Sequence, residues 1–186
     1  MKKHSRYLGI YMVTMEWLLL IFLYTKLPNQ LSLSAALSSF LAIKETHILF
    51  ILGFMLVSAT FFLFVNFHLK YQMATPTELF NISLLFLVIA LFAPYTTSWG
   101  YPLHVLGAVM FSAFFYLGIF YMGIKSSDKN VKIINFSSAS LVLIIVLFLF
   151  LTVGRNDILI YEASIGLIGQ IWIIIISIYS IKIDIQ

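Results

Sequence analysis

Glu16 is the first residue whose position raises a chemical question. It interrupts the apolar run "YLGIYMVTMEWLLLIFLY". At ~1.5 Å per helical residue it lies about 13 Å beyond Tyr7, close to mid-bilayer if the run crosses a membrane. An ionised, unpaired carboxylate is untenable at that depth, so it must be protonated, paired or in contact with water. One chemistry is a proton-linked or substrate-contacting acid. The other is a neutral acid hydrogen-bonded to another helix, with Asn81, Gln170, Ser58 and Thr60 as candidate partners.

A second group of chemistry-bearing residues collects at the ends of apolar runs. His47 follows Glu45, His104 follows Trp99 and Tyr101, and Arg155, Asp157, Tyr161 and Glu162 stand together. His47, His104 and Glu162 are the residue types that hold a divalent metal or act as acid and base on a lipid headgroup. The spacing does not enforce either. No pair such as H-x-x-x-H or H-E-x-x-H occurs, and His47 and His104 are 57 positions apart. Interfacial histidines also serve as anchors or satisfied packing groups. Axial haem ligation needs paired histidines at matched depth. Only His47 and His104 could meet that need, since His68 falls at the opposite end of its run, and haem is not expected.

The composition fixes the solvent in which these residues work. The chain has 186 residues, 62% hydrophobic and 10% charged, with a mean hydropathy of +1.05. A soluble domain carries about a quarter charged residues, so this chain lacks the polar surface to cover such a core. There is no cysteine, which excludes disulfides and thiolate chemistry. The few, scattered basic residues give no nucleic-acid footprint.

Six continuous apolar runs are each read as a membrane-crossing helix: 7–24, 47–66, 79–95, 103–124, 133–153 and 163–181. Their apolar residues do not alternate, which argues against barrel strands. The expected fold is all-α, a polytopic six-helix bundle forming a single transmembrane domain over residues 1–186. With the N-terminus inside, cytoplasmic segments hold Lys2, Lys3, Arg6, Lys70, Lys125, Lys129, Lys132 and Lys182, against Lys26, Lys44 and Arg155 outside. That asymmetry predicts N-in and C-in. A cleaved signal peptide is disfavoured, because Glu16 breaks the first run and no A-x-A site follows it.

The loops are short except 26–45, expected to be an outer cap containing a short helix, with Leu33, Leu37, Phe40, Leu41 and Lys44 on one face. Thr75-Pro76 reads as a helix start. Gly107, Ser112, Gly118, Gly166 and Gly169 suggest close helix approach. Asn81, Asn135 and Gln170 are amides that need partners in lipid.

Three stretches carry a family resemblance: "SLSAALSSF" with "THILFILGFMLVSATFFLF", then "LFAPYTTSWGYPLHVLGAVMF", then "GLIGQIWIIIISIYSIK". Together they resemble the DUF998 family of small prokaryotic membrane proteins. The resemblance implies six helices, a Leu-His position at His104, and a Gly-Leu-x-x-Gln position at Gly166 to Gln170. A basic residue often follows that Gln in the family, whereas Ile171 follows here. The resemblance supplies no reaction. The Lys, Ile and Asn usage also suggests a prokaryotic source.

The sequence therefore points to a multi-pass protein of the cell membrane. Its first expected role is binding membrane lipids or a membrane-protein partner without catalysis. The alternatives are a membrane-embedded, metal-assisted enzyme using His47, His104 and Glu162 at the outer face, and a small proton-linked transporter using Glu16.

Overall fold

Leucine, isoleucine and phenylalanine runs without charges leave the backbone no polar partner but itself, and a helix satisfies every N–H and C=O within one segment. The structure, a computed structural model, describes residues 7–26, 40, 43–70, 77–93, 97–152 and 158–183. It contains α1 (Leu8–Lys26), α2 (Lys44–Leu63) continued by a π-helical segment (Phe64–Leu69), α3 (Glu78–Phe92), α4 (Gly100–Lys125), α5 (Lys129–Thr152) and α6 (Ile158–Ile183). Among the described residues there is no strand. Five helices are long and apolar enough to cross a membrane, the makeup of a multi-pass membrane protein. The sixth, α3, has 15 residues. At ~1.5 Å per residue it spans about 22 Å, less than a ~30 Å hydrocarbon core.

The boundaries differ from the sequence expectation for local reasons. The second span runs on to Leu69 because the π-helical segment carries the helix past Asn66. α4 begins at Gly100, since Pro102 is tolerated in a first turn where its missing N–H has no partner to lose. α5 begins at Lys129 because Asp128 caps it, its Oδ1 accepting the N–H groups of Asn130 (2.7 Å) and Val131 (3.2 Å). α3 is described from Glu78 with Thr77 in the cap position; the expected start at Thr75-Pro76 lies outside the described residues. So does most of the loop proposed as an outer cap, residues 27–39 and 41–42, while Phe40 within it is described. That residue is wholly buried, edge-on to Tyr24 (5.0 Å) and stacked on Phe50 (5.9 Å).

Each helix packs on its sequence neighbours, and α6 closes onto α1. The α3–α4 contact is the most extensive and the α2–α3 contact is sparse. Inside the ring, Phe80 of α3 stacks on Trp172 of α6 at 5.7 Å, and Phe115 of α4 meets both rings edge-on at 5.8 and 5.7 Å. Such pairs add ~0.5–1.5 kcal/mol each beyond packing. A second apolar cluster, Leu23, Phe40, Phe50 and Leu91, fills another part of the bundle.

Candidate functional site

Several amides and tyrosine hydroxyls within the bundle brace one helix against another, while serine and threonine hydroxyls bond carbonyls of their own helices. Glu16 is the ninth residue of the 19-residue α1, on the stripe with buried Met12, Val13, Leu20 and Leu23. Its carboxyl hydrogen-bonds the Gln170 side chain of α6. Trp17 Nε1 donates to Gln170 Oε1 at 2.9 Å, which leaves the amide nitrogen to donate to Glu16. The other three candidate partners are engaged elsewhere. Asn81 exchanges hydrogen bonds with Asn66 (2.9 and 3.3 Å), Ser58 donates to the Phe54 carbonyl (2.7 Å), and Thr60 donates to the Leu56 carbonyl (2.9 Å). The third amide, wholly buried Asn135, accepts the Trp172 indole N–H at 2.6 Å.

His104 is 7% exposed, and its Nδ1 lies 2.7 Å from the Ala90 carbonyl of α3. A carbonyl only accepts, so Nδ1 carries the proton. The sequence explains why that carbonyl needs a donor. In a regular helix it would bond the N–H four residues on, but position 94 is proline and has none. Ala93 is extended (φ −68°, ψ 125°), as the residue before a proline is pushed to be. Gly107 brings the two helices this close: a Cβ there would stand 2.8 Å from Ala90 N and 3.0 Å from its Cα. His104 therefore completes the end of α3 from the first turns of α4.

The other two members of the expected outer site also lie near helix beginnings. His47 is in the first turn of α2, half-buried, and Glu162 is in the first turns of α6. Glu162 is close enough to the Tyr24 phenol of α1 to act on it electrostatically. His47, His104 and Glu162 sit on alternate helices of the ring, α2, α4 and α6. Among the described residues no group of three or more His, Asp or Glu side chains is placed to hold a metal ion. Arg155 and Asp157 lie outside the described residues. His68, stacked on Phe64 at 5.4 Å, is wholly buried in the π-helical segment.

Two features are not legible from spacing. Tyr116 of α4 donates its hydroxyl to the Ile165 carbonyl (2.5 Å) and accepts the Gly169 N–H of α6. These two backbone groups would pair with each other in a regular helix. At the α4–α5 turn, the Tyr179 hydroxyl of α6 donates to both Asp128 carboxylate oxygens (3.1 and 2.9 Å) and accepts the Asn130 amide (3.0 Å). Partial burial pushes the Asp128 carboxyl up, but the Tyr179 hydroxyl and the Val131 and Asn130 N–H groups outweigh it and hold it below its ordinary value.

The sparse α2–α3 seam leaves a groove of about 420 Å³, open to the side and lined almost entirely by apolar atoms. Met55, Ser58, Ala59 and Phe62 form the α2 wall. The α3 wall runs from Asn81 to Phe92.

The fold and these features define an all-helical, multi-pass membrane protein whose intramembrane polar groups tie helices together. Compared with family models, with curated proteins and with solved structures, the chain finds no match.

Proposed function

We propose that this protein binds a lipid or an apolar partner segment within the bilayer and does so without catalysis. The observation that carries this reading is the laterally open, apolar groove between α2 and α3. Ligand sites are concave, mostly apolar and few per protein, and in a membrane such a groove faces hydrocarbon. The polar side chains support the same reading. His104 Nδ1 serves the Ala90 carbonyl, Tyr116 serves the α6 backbone, and Gln170 serves Trp17 and Glu16. Groups engaged this way hold a scaffold.

We also infer six membrane crossings with both termini in the cytoplasm, from the uneven distribution of lysine and arginine. The DUF998 resemblance agrees with six helices and adds no reaction. The enzyme reading with His47, His104 and Glu162, and the proton-linked carrier reading with Glu16, rest on residue placement alone.

The test is lipid quantification on protein purified in a mild detergent and washed extensively. Lipid retained near one molecule per chain supports the proposal. Lipid falling to the background of an unrelated helical membrane protein, with no co-purified partner, contradicts it.

A further inference from the structure

The turn between α4 and α5 carries a second surface, separate from the α2–α3 groove. We propose that its three lysines hold the phosphate of an anionic phospholipid, whose acyl chains lie over the outer seam of α4 and α5.

The sequence places the charge. "KSSDKNVK", residues 125–132, puts Lys125 in the last turn of α4 and Lys129 and Lys132 in the first turns of α5. Both helices are long and apolar enough to cross a membrane, so a turn at their ends stands at headgroup depth. Lys129 and Lys132 are three apart and neighbour each other on the helix surface. A cation suits a helix C-terminus and opposes the positive end at the N-terminus. Lys125 therefore serves its own helix. Lys129 and Lys132 do not, and the first turn of α5 contains no acidic residue to offset them.

The protein itself does not answer this charge. Lys125, Lys129 and Lys132 are exposed. Lys125 lies over the Tyr121 ring at 5.5 Å, and among the described residues no carboxylate pairs with any of the three. Asp128, the acid between them, is engaged elsewhere: its Oδ1 caps Asn130 and Val131, and Tyr179 of α6 donates to both of its oxygens. Three ammonium groups thus surround one occupied carboxylate, which leaves an excess of positive charge for an anion from outside.

The apolar surface beside the lysines selects a lipid over a soluble anion. Ile124 lies one turn from Phe120 on α4, and Lys132 lies one turn from Phe136 on α5. Phe120 and Phe136 meet edge-on at 5.4 Å across the seam. Gly123 allows that approach, since a Cβ there would stand 3.2 Å from Asn135 Cβ. Ile124 and Ile133, next to Lys125 and Lys132, are 53% and 54% exposed, and Phe120 is 46% exposed. The closed seam therefore offers one strip with apolar side chains in the hydrocarbon and ammonium groups at its rim. A soluble phosphate uses only the rim, whereas a phospholipid uses both parts. Lysines beside a span attract anionic lipids, and a zwitterionic headgroup brings a cation of its own and gains less.

Native mass spectrometry on the full chain in mild detergent tests this. The probes are dioleoyl phosphatidylglycerol, dioleoyl phosphatidylcholine and glycerol phosphate, added in titration because an exposed seat exchanges with detergent. Wild type should bind the phosphatidylglycerol about tenfold or more tighter than the phosphatidylcholine. Each lysine near the surface is worth about fivefold, so Lys129→Gln with Lys132→Gln should weaken phosphatidylglycerol by about 25-fold and leave phosphatidylcholine unchanged. Lys129→Arg with Lys132→Arg should keep the preference, as should Lys44→Gln at the other end of the bundle. Melting curves should be alike, since exposed lysines carry no packing. Equal binding of the two lipids by wild type, or a preference that survives the double Gln variant, overturns the proposal. Competition by glycerol phosphate at the lipid's own concentration overturns a lipid as the occupant. Ala59→Trp, which fills the groove, should leave the preference intact; a preference lost there would move the anionic lipid to the groove and overturn the seat on the turn.

Discussion

His104 shows how one side chain can be explained by a residue ten positions away. Pro94 removes a donor, Ala90 is left with an acceptor, and the imidazole of the next helix fills the gap. His104→Ala should therefore destabilise the protein by about 1–3 kcal/mol, the cost of a buried polar group left unpaired. Thermal unfolding in detergent would show it, and His104→Asn, which keeps a donor, should recover part of the loss. Asp128 makes a pH prediction. Its carboxyl is depressed in the folded protein, so its contribution is present above the ordinary carboxylate range and is lost as pH falls through the lowered value. Asp128→Ala should lower stability at neutral pH and remove that part of the acid dependence, read from melting temperatures across an acid titration. At this scale the sequence is partly legible. Glu16 visibly needs a partner and Gln170 stands among its candidates. The choice among four candidates requires knowing which helix faces which. Proline's missing N–H is legible as chemistry, but its link to His104 is not, because that link depends on the approach of α4 to α3 at Gly107.

Helices are the most legible level, because lipid permits little else and apolar runs mark them directly. Their ends are less so, since a cap such as Asp128 or a π-helical continuation adds residues that hydropathy does not weigh. Small residues illustrate what pattern alone misses. Gly107, Gly118 and Gly169 each meet a neighbouring helix, with a built Cβ 2.8 to 3.1 Å from the nearest atom, whereas Gly166 has nothing within 4 Å. The same residue type thus predicts opposite outcomes. Gly107→Leu should force α3 and α4 apart and cost ~1–3 kcal/mol or more, as overpacking does. Gly166→Ala should be neutral or stabilise by ~0.5–1 kcal/mol through helix propensity. Parallel melting curves separate them, and equal effects would mean that the α3–α4 approach is not as tight as described. The groove is likewise illegible in the sequence, because Met55, Ala59, Leu85 and Val88 look like any lipid-facing residues until α2 and α3 are seen to stand apart.

For the molecule as a whole, charge placement predicts an arrangement that the helices alone do not fix. The absence of cysteine makes the test clean: Ser127→Cys should be shielded from a membrane-impermeant thiol reagent in intact cells, and Ser98→Cys should react. The reverse pattern would invert the topology while leaving the groove intact. The account as a whole rests on what occupies the seam between α2 and α3. The most direct measurement is a density map of the protein in lipid nanodiscs, bound to an antibody fragment for size. The account predicts non-protein lipid density, or a partner segment, in the seam between Ala59 and Met55 of α2 and Leu85 and Val88 of α3. A seam closed by α2 side chains, holding neither lipid nor a partner segment, would contradict it.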